Sequence, residues 1–127
     1  MSATGPLLVA VDVCLDLARG DEAAAAFFRS PPAPLRFSTV TYLQLLSLAR
    51  NEAELRRVQA FMQPYPVLSL GPQASGTAVE LMRRAAGRLT PADALVAATA
   101  LAHEIPLCTG AAETFRDLPG LQVIAPS

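Results

Sequence analysis

The sequence predicts an α/β domain of three layers, α/β/α, around a central parallel sheet of four or five strands. Short apolar runs alternate with longer helical segments along the whole chain, an order that yields parallel strands joined by crossover helices. Ala and Leu, both strong helix formers, supply much of the apolar content, so helix is expected to dominate. With 52% of residues hydrophobic and 17% charged, the chain is not disordered, and its 127 residues suffice to build the core of one domain, 1–127.

The elements follow in order. Leu7–Val11 reads as a buried strand, and Asp12 is placed to cap a helix from Val13 to Arg19 that Gly20 ends. Asp21 caps a second helix, Glu22 to Arg29, and the proline-rich stretch Ser30–Pro34 cannot continue it. Leu35–Thr39 is the second strand. A helix starting at Ser38 or Thr41 runs to Arg50, with Tyr42, Leu45, Leu46 and Ala49 on one face. Asn51 caps the helix Glu52–Met62, and Val67–Leu70 forms a short strand near an edge. Gly71-Pro72 opens an amphipathic helix from Gln73 to about Gly87. Thr90-Pro91 starts a nearly all-apolar helix, Ala92 to His103, whose burial makes the acid at its head, Asp93, a residue to explain. Ile105–Thr109 and Leu121–Ile124 complete the strands, with a turn or short helix at Gly110–Phe115 between them.

Composition excludes several functions. A net charge of −1 provides no general basic field for nucleic acid, although Arg50, Arg56, Arg57, Arg83, Arg84 and Arg88 all fall on helices. Those arginines read as ordinary solvated faces. Cys14 and Cys108 are too far apart for a zinc motif and read as small buried thiols. No apolar run is long enough to span a membrane, and Met1 to Pro6 lacks the basic start of a secretory signal, so a cytoplasmic, reduced setting is expected. His103, the single histidine, has no ligand-spaced neighbours. Ser38, Ser69 and Ser75 lack a nucleophile elbow, and no glycine-rich phosphate loop occurs.

In parallel sheets a ligand site lies beyond the carboxyl ends of the strands, where strand order reverses. That directs attention to Ala10–Asp12, the start of the Thr41 helix, Asp93, and Thr109–Thr114. The same places carry a resemblance. Leu7–Asp21, Ser38–Leu45 and above all Leu89-Thr90-Pro91-Ala92-Asp93 through His103, followed by Leu107-Cys108-Thr109, Phe115 and Leu118–Ile124, resemble the PIN-domain family, in particular its VapC-like toxins. The likeness runs through nearly the whole chain, in order.

The resemblance implies a ribonuclease site of about four carboxylates that holds Mg²⁺ or Mn²⁺. Such ions are hard cations needing several oxygen ligands, and they activate water. Here the first family acid is Ala10, the second is Gln44, the third is kept as Asp93, and the last region offers Ala111 and Thr114 beside a retained Thr109. Three of four acidic places are neutral, so a catalytically inactive pseudoenzyme that works by binding protein or RNA, with no cofactor, is expected. The alternative is an active Mg- or Mn-dependent endoribonuclease toxin with a rewired site. Asp93 and Asp12 would then be catalytic residues and metal ligands, joined by Asp16, Thr109 and Glu113 as binding residues. In that alternative Asp12 points to the side that residue 10 would, and Asp16 shares its helix face. The bland readings are a helix cap for Asp12, solvated residues at Asp16 and Glu113, and a helix-dipole partner at Asp93. The resemblance also implies a homodimer and an antitoxin-like protein partner, RNA being a partner only in the alternative. Exposed apolar residues from Tyr42 to Met62, with Phe27, Phe28 and Phe61, are the candidate docking surface.

Overall fold

The computed structural model describes residues 5–126. Its elements run β1 (Leu7–Val9), α1 (Val11–Ala18), α2 (Glu22–Arg29), β2 (Leu35–Ser38), α3 (Thr39–Ser47), α4 (Glu52–Met62), β3 (Val67–Leu68), α5 (Pro72–Ala85), α6 (Pro91–His103), β4 (Leu107–Cys108) and β5 (Val123–Ile124). All five strands are parallel, in the order β3-β2-β1-β4-β5. Leu8 of β1 pairs with both Arg36 of β2 and Leu107 of β4, so β1 is the centre of the sheet.

Helix starts follow local chemistry. Asp21 accepts from the Ala24 amide at 2.9 Å, Ser38 Oγ from Thr41 at 3.0 Å, Asn51 from Glu54 at 2.9 Å, and Thr90 from Asp93 at 3.1 Å. Each satisfies an amide that the first helical turn leaves unpaired. Helix α1 departs from this pattern and from expectation. It begins at Val11 rather than Val13, with Ala10 as its cap and no side-chain hydrogen bond there, so Asp12 lies inside the first turn and caps nothing. Helix α3 ends at Ser47 rather than Arg50, and the strands are shorter than their apolar runs. Val11 and Thr39, at the ends of the first two runs, are already the first residues of α1 and α3.

Alternation in the central strand divides the core. Leu8 faces a cluster with Ala78, Leu81 and Leu89 and the small residues of α6, Ala94, Ala97 and Ala98. Leu7 and Val9 face the opposite cluster, with Val13, Phe27, Phe37, Leu45 and Met62. Side chains of successive strand residues point to opposite faces, so one strand of three residues feeds both layers. The alanines of α6 let it lie close to the sheet, and residues 96–100 are all buried.

The aromatic residues expected to be exposed are mostly built into the second cluster. Phe27 is buried, and Phe28 and Phe61 are half-buried. Their rings pack edge-to-face in a chain, Phe27 to Phe28 at 5.3 Å and Phe28 to Phe61 at 5.5 Å, with Phe37 beyond at 6.0 Å. Amphipathic helices α2 and α4 turn these faces inward because the sheet behind them offers Phe37. The large exposed apolar side chains are Leu43 on α3 and Leu48 at its C-terminal cap, both within the Tyr42–Met62 stretch, with Val67 and Leu70 around β3 and Val79 on α5. Cys14 and Cys108 are free and buried, as expected. Among the described residues no helix is long and apolar enough to cross a membrane. The reading of Met1–Pro6 as no secretory signal rests largely on residues 1–4, which lie outside the described residues.

Candidate functional site

The strand order reverses between β1 and β4. β1 passes through α1 and α2 to β2 on one side, while α5 and α6 return the chain to β4 on the other. A crevice is expected at the carboxyl ends of those two strands, and a cavity of about 130 Å³ lies there. Ala10 and Asp12 enter it from the end of β1, Thr109 and Ala111 from the end of β4, Gln44 from α3, Asp93 from α6, and Thr114 and Phe115 from the turn beyond. Every position that the resemblance marked as an acid site thus converges on one cavity.

Two carboxylates line this cavity, Asp12 and Asp93. Asp12 is already engaged. The Thr109 hydroxyl donates to its Oδ1 at 2.7 Å, and the Gly110 amide donates to its Oδ2 at 2.8 Å. Thr109 Oγ1 in turn accepts from the Ala111 amide at 3.0 Å. Asp12 therefore fastens the start of α1 to the end of β4 across the switch point. Gly110 fits this contact, because a Cβ there would lie 3.3 Å from Asp12 Oδ2. Asp93 is half-buried in the first turn of α6, where the helix dipole favours a negative charge, and it makes no ion pair among the described residues.

The other two acids of the rewired arrangement stand elsewhere. Asp16 pairs with Arg19, three residues along α1, and does not line the cavity. Glu113 is exposed and pairs with Arg116 at 2.8 Å. The argument that Asp12 follows residue 10 by strand alternation also fails, because the chain is already helical at Val11. Its carboxylate reaches Thr109 by helical geometry instead.

Gln44 shows what replaces a carboxylate here. Its Oε1 is buried and has no hydrogen-bond partner among the described residues. The donor set does not fit a divalent cation. No group of three or more His, Cys, Asp or Glu side chains that could hold a metal occurs among the described residues. A hard ion that sheds water reluctantly needs several oxygens. Here Ala10 and Ala111 offer none, and Asp12 and Asp93 are the only carboxylates in the lining.

Two contacts escaped the sequence reading. Besides the Asp12 clasp, Arg88, at the end of the α5 layer, donates to the carbonyls of Thr114 at 3.4 Å and Arg116 at 2.5 Å, holding the turn that forms one wall of the cavity. Neither has a local signature, since the partners lie 97 and 98 residues apart for Asp12 and 26 and 28 for Arg88. The glycine after the β4 threonine is the one sequence trace of the first contact.

The family model of the PIN domain matches residues 10–120. The chain belongs to the PIN domain family. No curated protein sequence matches it significantly. Solved structures share the PIN fold closely over nearly their whole length. A chain from a toxin–antitoxin complex of Klebsiella pneumoniae superposes with a TM-score of 0.80 at 21% identity, covering 95% of this chain and 98% of that one. A chain from VapBC2 of Rickettsia felis bound to a promoter DNA fragment gives 0.78 at 13% identity, with coverages of 94% and 98%. One from DNA-bound VapBC of Salmonella typhimurium gives 0.77 at 18%, with coverages of 96% and 98%. At these identities the agreement establishes the three-layer fold, as the alternation of strands and helices predicted.

Proposed function

We propose that this PIN-domain protein is a VapC-like member of a toxin–antitoxin pair that has lost metal-dependent cleavage and works by binding, principally to a protein partner of the antitoxin kind. The observation that carries this reading is the state of the switch-point cavity. It keeps two carboxylates, one of them held by the Thr109–Gly110 clasp, and the family's other acid positions are Ala10, Gln44 and Ala111. A phosphodiester attacked there would meet no cation to neutralise the charge developing on it, and that neutralisation is the main service of metal ions in such sites. The likeness to chains from VapBC complexes supports a protein partner. So does an apolar groove of about 290 Å³ bordered by α1, α3 and α4. In this reading the protein is a cytoplasmic homodimer made of one domain, residues 1–127, that holds no metal.

The competing reading is a Mg- or Mn-dependent endoribonuclease that uses Asp12, Asp16 and Asp93. The Arg19 pairing of Asp16 speaks against it. Incubation of the purified protein with mixed-sequence RNA and Mn²⁺ tests the choice. No cleavage above a metal-free control is expected, and expression without a partner is expected to leave growth unimpaired. Cleavage that requires Mn²⁺ and is abolished by Asp93→Asn would overturn the proposal.

A further inference from the structure

One wall of the switch-point cavity is the turn 111–117, which contributes Ala111, Thr114 and Phe115 to the lining. The backbone bonds of this turn are short in reach and internal to it: Thr114 to Ala111 at 3.0 Å, Phe115 to Ala112 at 3.1 Å and Arg116 to Glu113 at 3.4 Å. Two side chains from distant parts of the chain pin it. At one end Asp12 holds the preceding Gly110 amide at 2.8 Å. At the other, Arg88 donates to the Arg116 carbonyl at 2.5 Å and to the Thr114 carbonyl at 3.4 Å. Helix α5 ends at Ala85, and Ala86 (φ 52°) and Gly87 (φ 89°) are both left-handed, a conformation that a residue with a Cβ adopts at a cost. That double turn brings exposed Arg88 over the wall, while Leu89 after it returns to the core. The acids of the wall do not answer Arg88, since Glu113 and Asp117 both pair with Arg116. Arg88 is thus an exposed charge spent on two neutral carbonyls.

We propose that Arg88 is a latch: bonded to Thr114 and Arg116 it keeps the turn closed over the cavity, and its release opens the way in. Phe115 and Leu118, both buried, root the turn in the core, so the rim that carries Thr114 lifts while the root stays in place. Local openings of this kind draw on segments with few buried contacts and exposed hydrogen bonds. The inference goes beyond the reading above, because it concerns access to the cavity and not what the cavity does once reached. A group that enters does so at a rate set by this one guanidinium.

A cysteine placed inside the cavity reports its opening. Ala10→Cys and, separately, Gln44→Cys put a thiol on the walls opposite the turn, one at a residue with little side chain to lose and one where the side-chain oxygen has no partner to lose. Alkylation by iodoacetamide at about pH 8, where a free thiol is partly thiolate, is followed in each background with Arg88 intact, as Arg88→Ala and as Arg88→Lys, with the modified site assigned by peptide mass. Arg88→Ala is expected to speed alkylation of the new thiol about tenfold, the effect of losing hydrogen bonds from a charged donor at the surface. Arg88→Lys keeps the charge without the planar fork and is expected to fall between. Arg84→Ala, which removes an exposed pair with Glu80 within α5, is expected to leave the rate unchanged. The buried Cys14 and Cys108 mark opening of the core itself and are expected to stay slow throughout. An unchanged rate at both reporters in Arg88→Ala would overturn the latch. So would a reporter that reacts as fast as a free thiol while Arg88 is intact. Acceleration matched at Cys14 and Cys108, with a fallen denaturant midpoint, would make Arg88 an ordinary contributor to stability and overturn the proposal as well.

Discussion

Replacing Asp12 by Ala separates a structural clasp from a metal ligand by the sign of the stability change. The carboxylate accepts two hydrogen bonds, from the Thr109 hydroxyl at 2.7 Å and the Gly110 amide at 2.8 Å. A hydrogen bond to a charged group contributes about 1.5–3 kcal/mol. The two losses do not simply add. Thr109 is 1% exposed and its hydroxyl proton would lose its acceptor, whereas Gly110 is exposed and its amide can turn to water. Asp12 also sits in the first turn of α1, where the helix dipole adds about 0.5 kcal/mol. The expected cost is about 3 kcal/mol, or roughly 10 °C in the thermal midpoint of a domain this size. Asp12→Asn keeps one carbonyl acceptor and should lose about half as much. An acid held ready for a metal behaves in the opposite way: at about 5 Å from a second carboxylate, with an effective dielectric near 20, repulsion is roughly 3 kcal/mol, and its removal raises the midpoint. Circular-dichroism melts of Asp12→Ala and Asp12→Asn without metal, with Asp16→Ala as an exposed-pair control changing by less than about 1 kcal/mol, decide the matter. A midpoint that rises or stays level on loss of Asp12 would refute the clasp.

The remaining predictions concern the cation site, its restoration and the thiols. Millimolar Mg²⁺ or Mn²⁺ is expected to move the midpoint by less than about 1 °C, because a ligand at a hundred times its dissociation constant would add about 2.7 kcal/mol and show plainly; a clear rise with either ion contradicts the reading. Restoring the acids together, as Ala10→Asp, Gln44→Glu and Ala111→Asp, should lower the metal-free midpoint by repulsion and make Mn²⁺ strongly stabilising, and a variant indifferent to Mn²⁺ would show that the scaffold no longer presents its ligand positions. Burial, aided by the nearby Asp12 charge, pushes the Cys14 thiol from an ordinary 9.0 up to about 12 and Cys108 up to about 11. Both should therefore resist alkylation at pH 8 in the native state and react on unfolding. The neutral thiol is the folded form and the unfolded chain sheds its proton first, so this contribution to stability is complete below pH 9 and is lost as pH rises from there through 11 to 12. Denaturant midpoints that stay flat over that range would contradict it.

How far these features were legible in the sequence depends on the reach of the contact involved. Asp21, Ser38, Asn51 and Thr90 announce their helices because a cap needs only a side-chain oxygen and an amide three residues on. α1 gave no such notice, since Ala10 has no side chain to cap with and Asp12 was the nearest polar residue to suggest a start. Phe27, Phe28 and Phe61 looked available for docking because periodicity identifies an apolar face without saying what covers it. Phe37 of β2, far along the chain, covers it. Asp12 and Asp16 share a helix face by spacing, and that local argument placed both at one site. The structure divides them, because Asp16 finds Arg19 within its own helix while Asp12 meets the end of β4.

By itself the sequence determined the alternation that makes a parallel three-layer domain, the helix starts that carry a side-chain cap, and the loss of charge at Ala10, Gln44 and Ala111, since each is a property of residue type and short-range spacing. Only the tertiary structure decided what the surviving acids do. The pairing of β1 with β4 brings Thr109 and Gly110 to Asp12 from 97 and 98 residues away, and those donors take both its oxygens. Asp93 is left as the one cavity carboxylate without such a clasp. A hydrogen bond is made with whichever donor the fold places within about 3 Å, and no spacing along the chain records a neighbour delivered by the opposite side of the sheet's switch point.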